Sequence, residues 1–399
     1  MKIVFLVDWH SAKMGYSDNF LPKAIAALGH EVHLVTSERQ VYYNTPNRNF
    51  YKTTLEPFLG PGIVECGQTQ VDGYYLHRLP SSEFRGRIII HNLADTIRNI
   101  QPDILQTGEF TGLSTYQAAL LWQKLQYKFF IECHTHASVF PWAGYKSSIY
   151  WGFYSRTMGT FINNRLEKCY PISSDSAEIV NRCYGVDSAK IVIRSLGVDT
   201  ELFSPVQNDR LQAERLNIRK QLGLSDSDIA CIYTGRFTAD KDPLCLVKAV
   251  ALLRNKGKSY YAILVGNGSA EYRSQLESHD GVIMMPFVPV QNMPALYRAV
   301  DIAVWPRQES TSQLDAAACG LPLILSNRVK VRERVNGNGL LYKEGDYEDL
   351  AQKLDQLSDE EVRQKMGETG VQNMREKFSW QYIAAQYARD YELALNAKN

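Results

Sequence analysis

Several things are missing from this 399-residue sequence. Its seven cysteines are scattered, odd in number and never set as a CxxC pair, which argues against structural zinc and against a disulfide framework. No stretch reaches the roughly 18 consecutive apolar residues of a membrane span. The opening MKIVFLVDWH enters a strand-like apolar run without the basic, apolar and cleavage regions of a signal peptide, so a reduced, cytoplasmic protein is expected. A net charge of +1 provides no large-scale field for nucleic acid or an anionic surface, and any charged ligand must be met by a local cluster. There is no GxGxxG and no GxxxxGK[ST], which removes the main support for a dinucleotide oxidoreductase or a P-loop kinase.

What is present is a long series of short apolar runs alternating with helical patterns. KIVFLV, the turn-rich DWHSAKMGYSD, FLPKAIAALGH and EVHLVTS read as strand, loop, helix, strand, with the helix closed by Gly29. DILQTG, KFFIECHTH and CYPISSDSAEIVNRCYG continue the series. After RSLGVDTELFSP the chain turns polar, and a second βα series begins at IACIYTGRF. This organisation predicts α/β architecture in two doubly wound domains, 1–198 and 199–375. The tail WQYIAAQYARDYELALNA, within 376–399, reads as an amphipathic helix that packs back on the N-terminal domain. In open parallel sheets ligands bind at the carboxyl ends of strands, so strand-end loops carry the candidate residues.

GRFTADKDP follows a strand and sets Gly235, Arg236 and Lys241 ahead of a helix opened by Asp242 and Pro243. An Arg fork and a Lys point charge suit a diphosphate, with solvated loop charges as the bland alternative. LVGNGS carries Gly266 and Gly268, which permit close backbone approach to a ligand or make an ordinary tight turn. PRQESTSQLDAAACGLP ends a strand and opens a helix. There Ser310, Thr311 and Ser312 offer hydroxyls and amides, Asp315 suits the two hydroxyls of a ribose, and Glu309 faces the rest of a ligand. IECHTHASVF places His134 and His136 past a strand, without the further ligands a metal site would need. PWAGYKSSIYWGFYSRTMGTF, with Trp142, Tyr145 and Trp151 beside Lys146 and Arg156, suits either a membrane interface or a core helix.

The order of GRFTADKDP, LVGNGS, MPALYRAVDIAVWP and ESTSQLDAAACGLPLILS, preceded by YPISSDSAEIVNRCYG and IRSLGVDTELFSP, resembles the family 4 retaining glycosyltransferases of the GT-B fold, two Rossmann-like domains facing each other across a cleft. The likeness is densest from about residue 170 onward. It implies that Arg236 and Lys241 bind the donor diphosphate, Glu309 the donor sugar and Asp315 the nucleotide ribose. The base would be held through backbone near Phe287 and Val288, and His134 would lie near the reacting carbon. Two departures stand out. Five residues rather than seven separate the two acids, the second being the shorter aspartate, and the first loop keeps Gly15 where the family has adjacent glycines. His10, Lys13, Gly15 and Glu109 are the candidates for the acceptor side.

The resemblance further implies transfer of a hexose-type sugar from a uridine or guanosine diphosphate donor to a saccharide or lipid-linked acceptor, in polysaccharide or glycolipid assembly. No cofactor, bound metal or nucleic acid is expected, and membrane contact, if any, is peripheral, on the inner face of the cell membrane. Two other readings stay open. One is a non-catalytic nucleotide-sugar-binding subunit. The other is a glycoside hydrolase using Glu309 and Asp315 as its carboxylate pair.

Overall fold

A computed structural model describes residues 1–136, 140 and 144–397. The chain divides into two compact units, Met1–Leu196 with Trp380–Asn399, and Gly197–Ser379. The expected limits were 198 and 375. The second lies later because the helix Glu360–Asn373 runs on through a π-helical turn, Met374–Phe378, and stays with the second unit to its end.

The first unit is built on β1 (Lys2–Leu6), β2 (Glu31–Ser37), β3 (Gly67–Val71), β4 (Tyr74–Leu79), a separate hairpin of β5 (Ser81–Phe84) and β6 (Arg87–Ile90), then β7 (Ile104–Thr107), β8 (Lys128–Cys133) and β9 (Leu166–Pro171). Its sheet runs β3-β4-β2-β1-β7-β8-β9, all parallel except the edge strand β3. The central strand β1 is apolar after its first residue because helices cover both faces; its Ile3, Val4 and Leu6 are fully buried.

The C-terminal helix Trp380–Asn396 belongs to this unit and is tied by polar as well as apolar contacts. Asp390 accepts from Lys168 and Arg194, each at 2.7 Å, and the Tyr391 hydroxyl donates to Gln106 at 2.6 Å. The Tyr387 hydroxyl donates to Glu132 at 3.4 Å.

The second unit holds β10 (Ile229–Phe237), β11 (Tyr260–Gly268), β12 (Val282–Met285), β13 (Ile302–Trp305), β14 (Leu323–Ser326) and β15 (Gly339–Tyr342) in the order β12-β11-β10-β13-β14-β15, all parallel. Ranked by their position along the chain, these strands have the Rossmann order 3-2-1-4-5-6. So do the parallel strands of the first unit. Winding reverses between β10 and β13 in one unit and between β1 and β7 in the other, and at such a reversal the crossover connections leave on opposite faces and open a crevice at the strand ends.

β10 and β11 are long and stay paired to their last residues, Gly235 beside Gly266 and Phe237 beside Gly268. Gly266 sits at φ +146°, and a Cβ there would lie 1.9 Å from the Gly235 carbonyl oxygen. The glycine is therefore required by the neighbouring strand, whatever it also does for a ligand. Gly266→Ala is expected to destabilise the second unit by about 2–4 kcal/mol, read as a lower midpoint in thermal or denaturant unfolding; an unchanged midpoint would contradict the register at this strand end.

Candidate functional site

In the second unit the two loops beside the reversal point are bound to each other. The loop after β13 begins at Pro306, whose carbonyl accepts from the buried Tyr342 hydroxyl at 2.7 Å, and the Trp305 indole N–H donates across to the Thr234 carbonyl of β10 at 3.0 Å. Arg307 then reaches the loop after β10, donating to the Ala239 carbonyl at 3.3 Å and pairing with Asp242 at 3.4 Å. Gln308, at φ +61°, donates to Asp240 at 3.3 Å. Asp242 is itself left-handed, at φ +54°, and the helix Pro243–Asn255 starts immediately after it.

This bracing leaves two cations with no ion-pair partner among the described residues. Arg236 is exposed at the end of β10 and Lys241 is half-buried in the following loop. Burial and the nearby Arg236 charge lower the Lys241 pKa, with Asp240 and Glu309 pulling the other way. Two positive groups without a close ion-pair partner at a strand-end crevice form an anion site by simple electrostatics.

The acids lie on the β13 side. Glu309 accepts from the Lys330 backbone N–H at 2.7 Å. Asp315 is in the helix Ser312–Ala318, and among the described residues its carboxylate has no hydrogen-bond partner. Burial pushes its pKa up to about 8; Arg334 opposes that rise and Asp199 adds to it. Thr311 caps the helix without a side-chain bond, and the Ser310 carbonyl accepts from Arg334 at 2.8 Å. Phe287 and Val288 follow β12 in coil and are partly buried.

In the first unit the corresponding loops also converge. Glu109, just after β7, accepts from the His134 backbone N–H at 3.1 Å and the Thr135 hydroxyl at 3.3 Å and so braces the loop after β8. Burial raises the Glu109 pKa. The His134 ring meets Glu132 at 3.3 Å. Burial alone would lower the pKa of that ring, but the carboxylates of Glu132, Glu109 and Asp18 outweigh it and push it up to about 9. His10 is buried with its ring on Asp18, Lys13 donates to the Phe58 carbonyl at 3.0 Å, and Gly15 takes φ +70° in the same loop. His136 faces Asp175 at 3.7 Å. Among the described residues no three His, Cys, Asp or Glu side chains converge as a metal site would require.

Four residues of these constellations were not singled out from the sequence: Arg307 and Glu132, which lie inside motifs read for their neighbours, and Lys330 and Arg334, which lie in none. Only the basic alternation in NRVKVRER hints at two of them, since such alternation more often marks a solvated edge.

Comparison with known proteins comes down on one family. The model for Glycosyltransferase Family 4 matches residues 21–202, and that for Glycosyl transferases group 1 matches residues 228–360. A D-inositol 3-phosphate glycosyltransferase of Corynebacterium glutamicum is 31% identical over 242 residues, 54% of each chain. The chain spans about half the length of the curated relatives it matches. In fold it is similar to sucrose-phosphate synthase of Thermosynechococcus elongatus, with TM-score 0.70, 20% identity and 100% of both chains covered. It is likewise similar to the Anabaena protein HepE solved with UDP, with TM-score 0.70, 16% identity and 98% and 100% covered. With two Rossmann-ordered units, the strand-end motifs above and family models matched in both halves, the chain belongs to the group 1, family 4 glycosyltransferases of the GT-B fold.

Proposed function

We propose that the protein is a retaining glycosyltransferase that works without a bound metal, moving a hexose-type sugar from a uridine or guanosine diphosphate donor to a hydroxyl of a saccharide or lipid-linked acceptor. The observation that carries this reading is the pair of cations without a close ion-pair partner among the described residues, Arg236 and Lys241, at the reversal point of the second unit. Fold neighbours solved with UDP, UDP-glucose or ADP support a nucleotide-sugar donor.

Breaking the bond from the anomeric carbon to the diphosphate leaves negative charge on the departing oxygen. Fixed positive groups stabilise charge that develops in the transition state without having to reorganise, and Arg236 and Lys241 supply them here. The acceptor oxygen bonds to the same face of the anomeric carbon, and its proton passes to the diphosphate oxygen. Charge and atoms balance with no protein nucleophile, and the anomeric configuration is kept. Glu309, steadied by the Lys330 amide, holds sugar hydroxyls. Asp315 takes the ribose and the Ser310–Ser312 hydroxyls line the diphosphate side, with Gly235 and Gly266 keeping that edge open. Backbone at Phe287 and Val288 meets the base. His134, cationic through Glu132, is the first unit's contact with substrate, and the His10 to Gly15 loop with Glu109 shapes the acceptor side.

The aromatic helix Tyr145–Tyr154 supports peripheral membrane contact. Tyr154 and Trp151 turn inward onto Tyr184, whereas Tyr145, Ile149 and Phe153, spaced by four, are 82%, 57% and 68% exposed. Residues 134–166 contain no Asp or Glu but do contain Lys146, Arg156 and Arg165. An apolar stripe on a cationic segment suits an anionic bilayer. Trp142 lies outside the described residues. No helix among the described residues is long and apolar enough to cross a membrane.

Three outcomes are expected. In thermal-shift assays one of UDP and GDP, at ~100 times its dissociation constant, should stabilise the protein by roughly 2.7 kcal/mol. Lys241→Ala should abolish that shift, and Glu309→Ala should keep it while losing transfer; binding with no transfer by the unaltered protein would favour a non-catalytic subunit. Because the raised His134 pKa keeps the ring charged below about pH 9, turnover should fall as pH rises through that value, and Glu132→Gln should bring the fall toward neutrality, measured as a pH–rate profile. Finally, Tyr145→Ser with Phe153→Ser should release the protein from phosphatidylglycerol vesicles in co-sedimentation, with neutral vesicles binding neither form.

A further inference from the structure

Arg334 ends a short 3₁₀ turn, Arg332–Arg334, in the segment between β14 and β15, and is only 2% exposed. Its guanidinium donates to the Ser310 carbonyl at 2.8 Å and to the Gln313 side-chain oxygen at 3.1 Å, and Gln313 passes the link on to the Gln308 carbonyl at 3.3 Å. The turn itself is fixed from behind, because the Arg334 carbonyl accepts from the buried Asn338 amide at 3.1 Å. The same segment grips Glu309 through the Lys330 N–H. Residues 308–313, which hold both the sugar-side acid and the hydroxyl cluster, are thus held from one side by one cation and one amide.

Both direct acceptors of Arg334 are neutral, and its Nε has no hydrogen-bond partner among the described residues. A full charge buried against neutral groups is costly, and a neutral donor would hold the Ser310 carbonyl equally well. The charge is offset at longer range by Glu333, Glu309 and Asp315. Around Asp315 the facing groups are Arg334, Asp199 from the start of the unit, Tyr297 on the helix Met293–Ala299, and Cys319 one turn further along its own stretch, itself influenced by Arg298. Of those acting directly on Asp315, Arg334 is the cation.

We propose that Arg334 is a positioning residue of the donor site: it sets the shape of the 308–313 loop and supplies the positive potential that lets Asp315 accept a ribose as a carboxylate. This rests on the reading of Glu309 and Asp315 as donor contacts.

The test is UDP and GDP affinity by calorimetry from pH 6 to 9.5, with donor KM and kcat, for the unaltered protein, Arg334→Met, Arg334→Lys and Asp315→Asn. Affinity should rise with pH as Asp315 ionises, with a midpoint near 8. In Arg334→Met that midpoint should move up by about one pH unit or more, with about tenfold weaker binding at pH 7.5 and the loss mainly in donor KM. Arg334→Lys should keep the midpoint and lose affinity about threefold to tenfold, because the charge stays and the fork does not; it carries the test if Arg334→Met does not fold. Weakening by the same factor at every pH, or unchanged affinity in Arg334→Lys, would overturn the proposal. A different result marks failure of the underlying reading: no binding of either nucleotide, or an Asp315→Asn form that keeps the rise with pH.

Discussion

The reversal of winding between β10 and β13 is the constraint from which the rest of the second unit follows. Parallel strands need crossovers, crossovers are right-handed, and the two sides of a sheet that winds both ways must part at one place. That place is where the chain has put a glycine, an arginine and a lysine on one strand end and a run of acid, hydroxyl and amide on the other. The buried apolar strands set the position, and the loops need only supply chemistry. The first unit repeats the arrangement at β1 and β7, with Glu109 and the His10 loop at the corresponding ends.

Around the reversal point of the second unit the charges are incompletely neutralised by protein. Arg236 and Lys241 lack ion-pair partners among the described residues, the half-buried Asp315 carboxylate has no hydrogen bond among them, and Arg334 is buried against neutral acceptors. Elsewhere the chain pairs its buried charges closely, as where Asp390 takes both Lys168 and Arg194, or where Asp301 takes Arg215 and Arg219. The contrast separates groups arranged for the fold from groups held ready for a ligand.

Much of the fold was legible because parallel strands covered on both faces leave continuous apolar runs, and helix ends leave Gly29 and Pro243. Arg236, Lys241 and Glu309 were legible because they sit in strand-end motifs. Lys330 and Arg334 were not, since they act on the β13 loop from 21 and 24 residues away and nothing local marks such a contact. Gly266 was read for a ligand's close approach or for a tight turn, whereas it is strand pairing that demands it. Glu109 was read only as an acceptor-side candidate, and its bracing contact depends on a β8 loop that the sequence places 25 residues downstream.

The most direct test of the central claim is a crystal structure of the protein grown with UDP or with GDP. Diphosphate density against Arg236 and Lys241, with the ribose on Asp315, is the expected result. A nucleotide bound elsewhere, or neither nucleotide bound at saturating concentration, would contradict the assignment of the β10–β13 reversal point as the donor site.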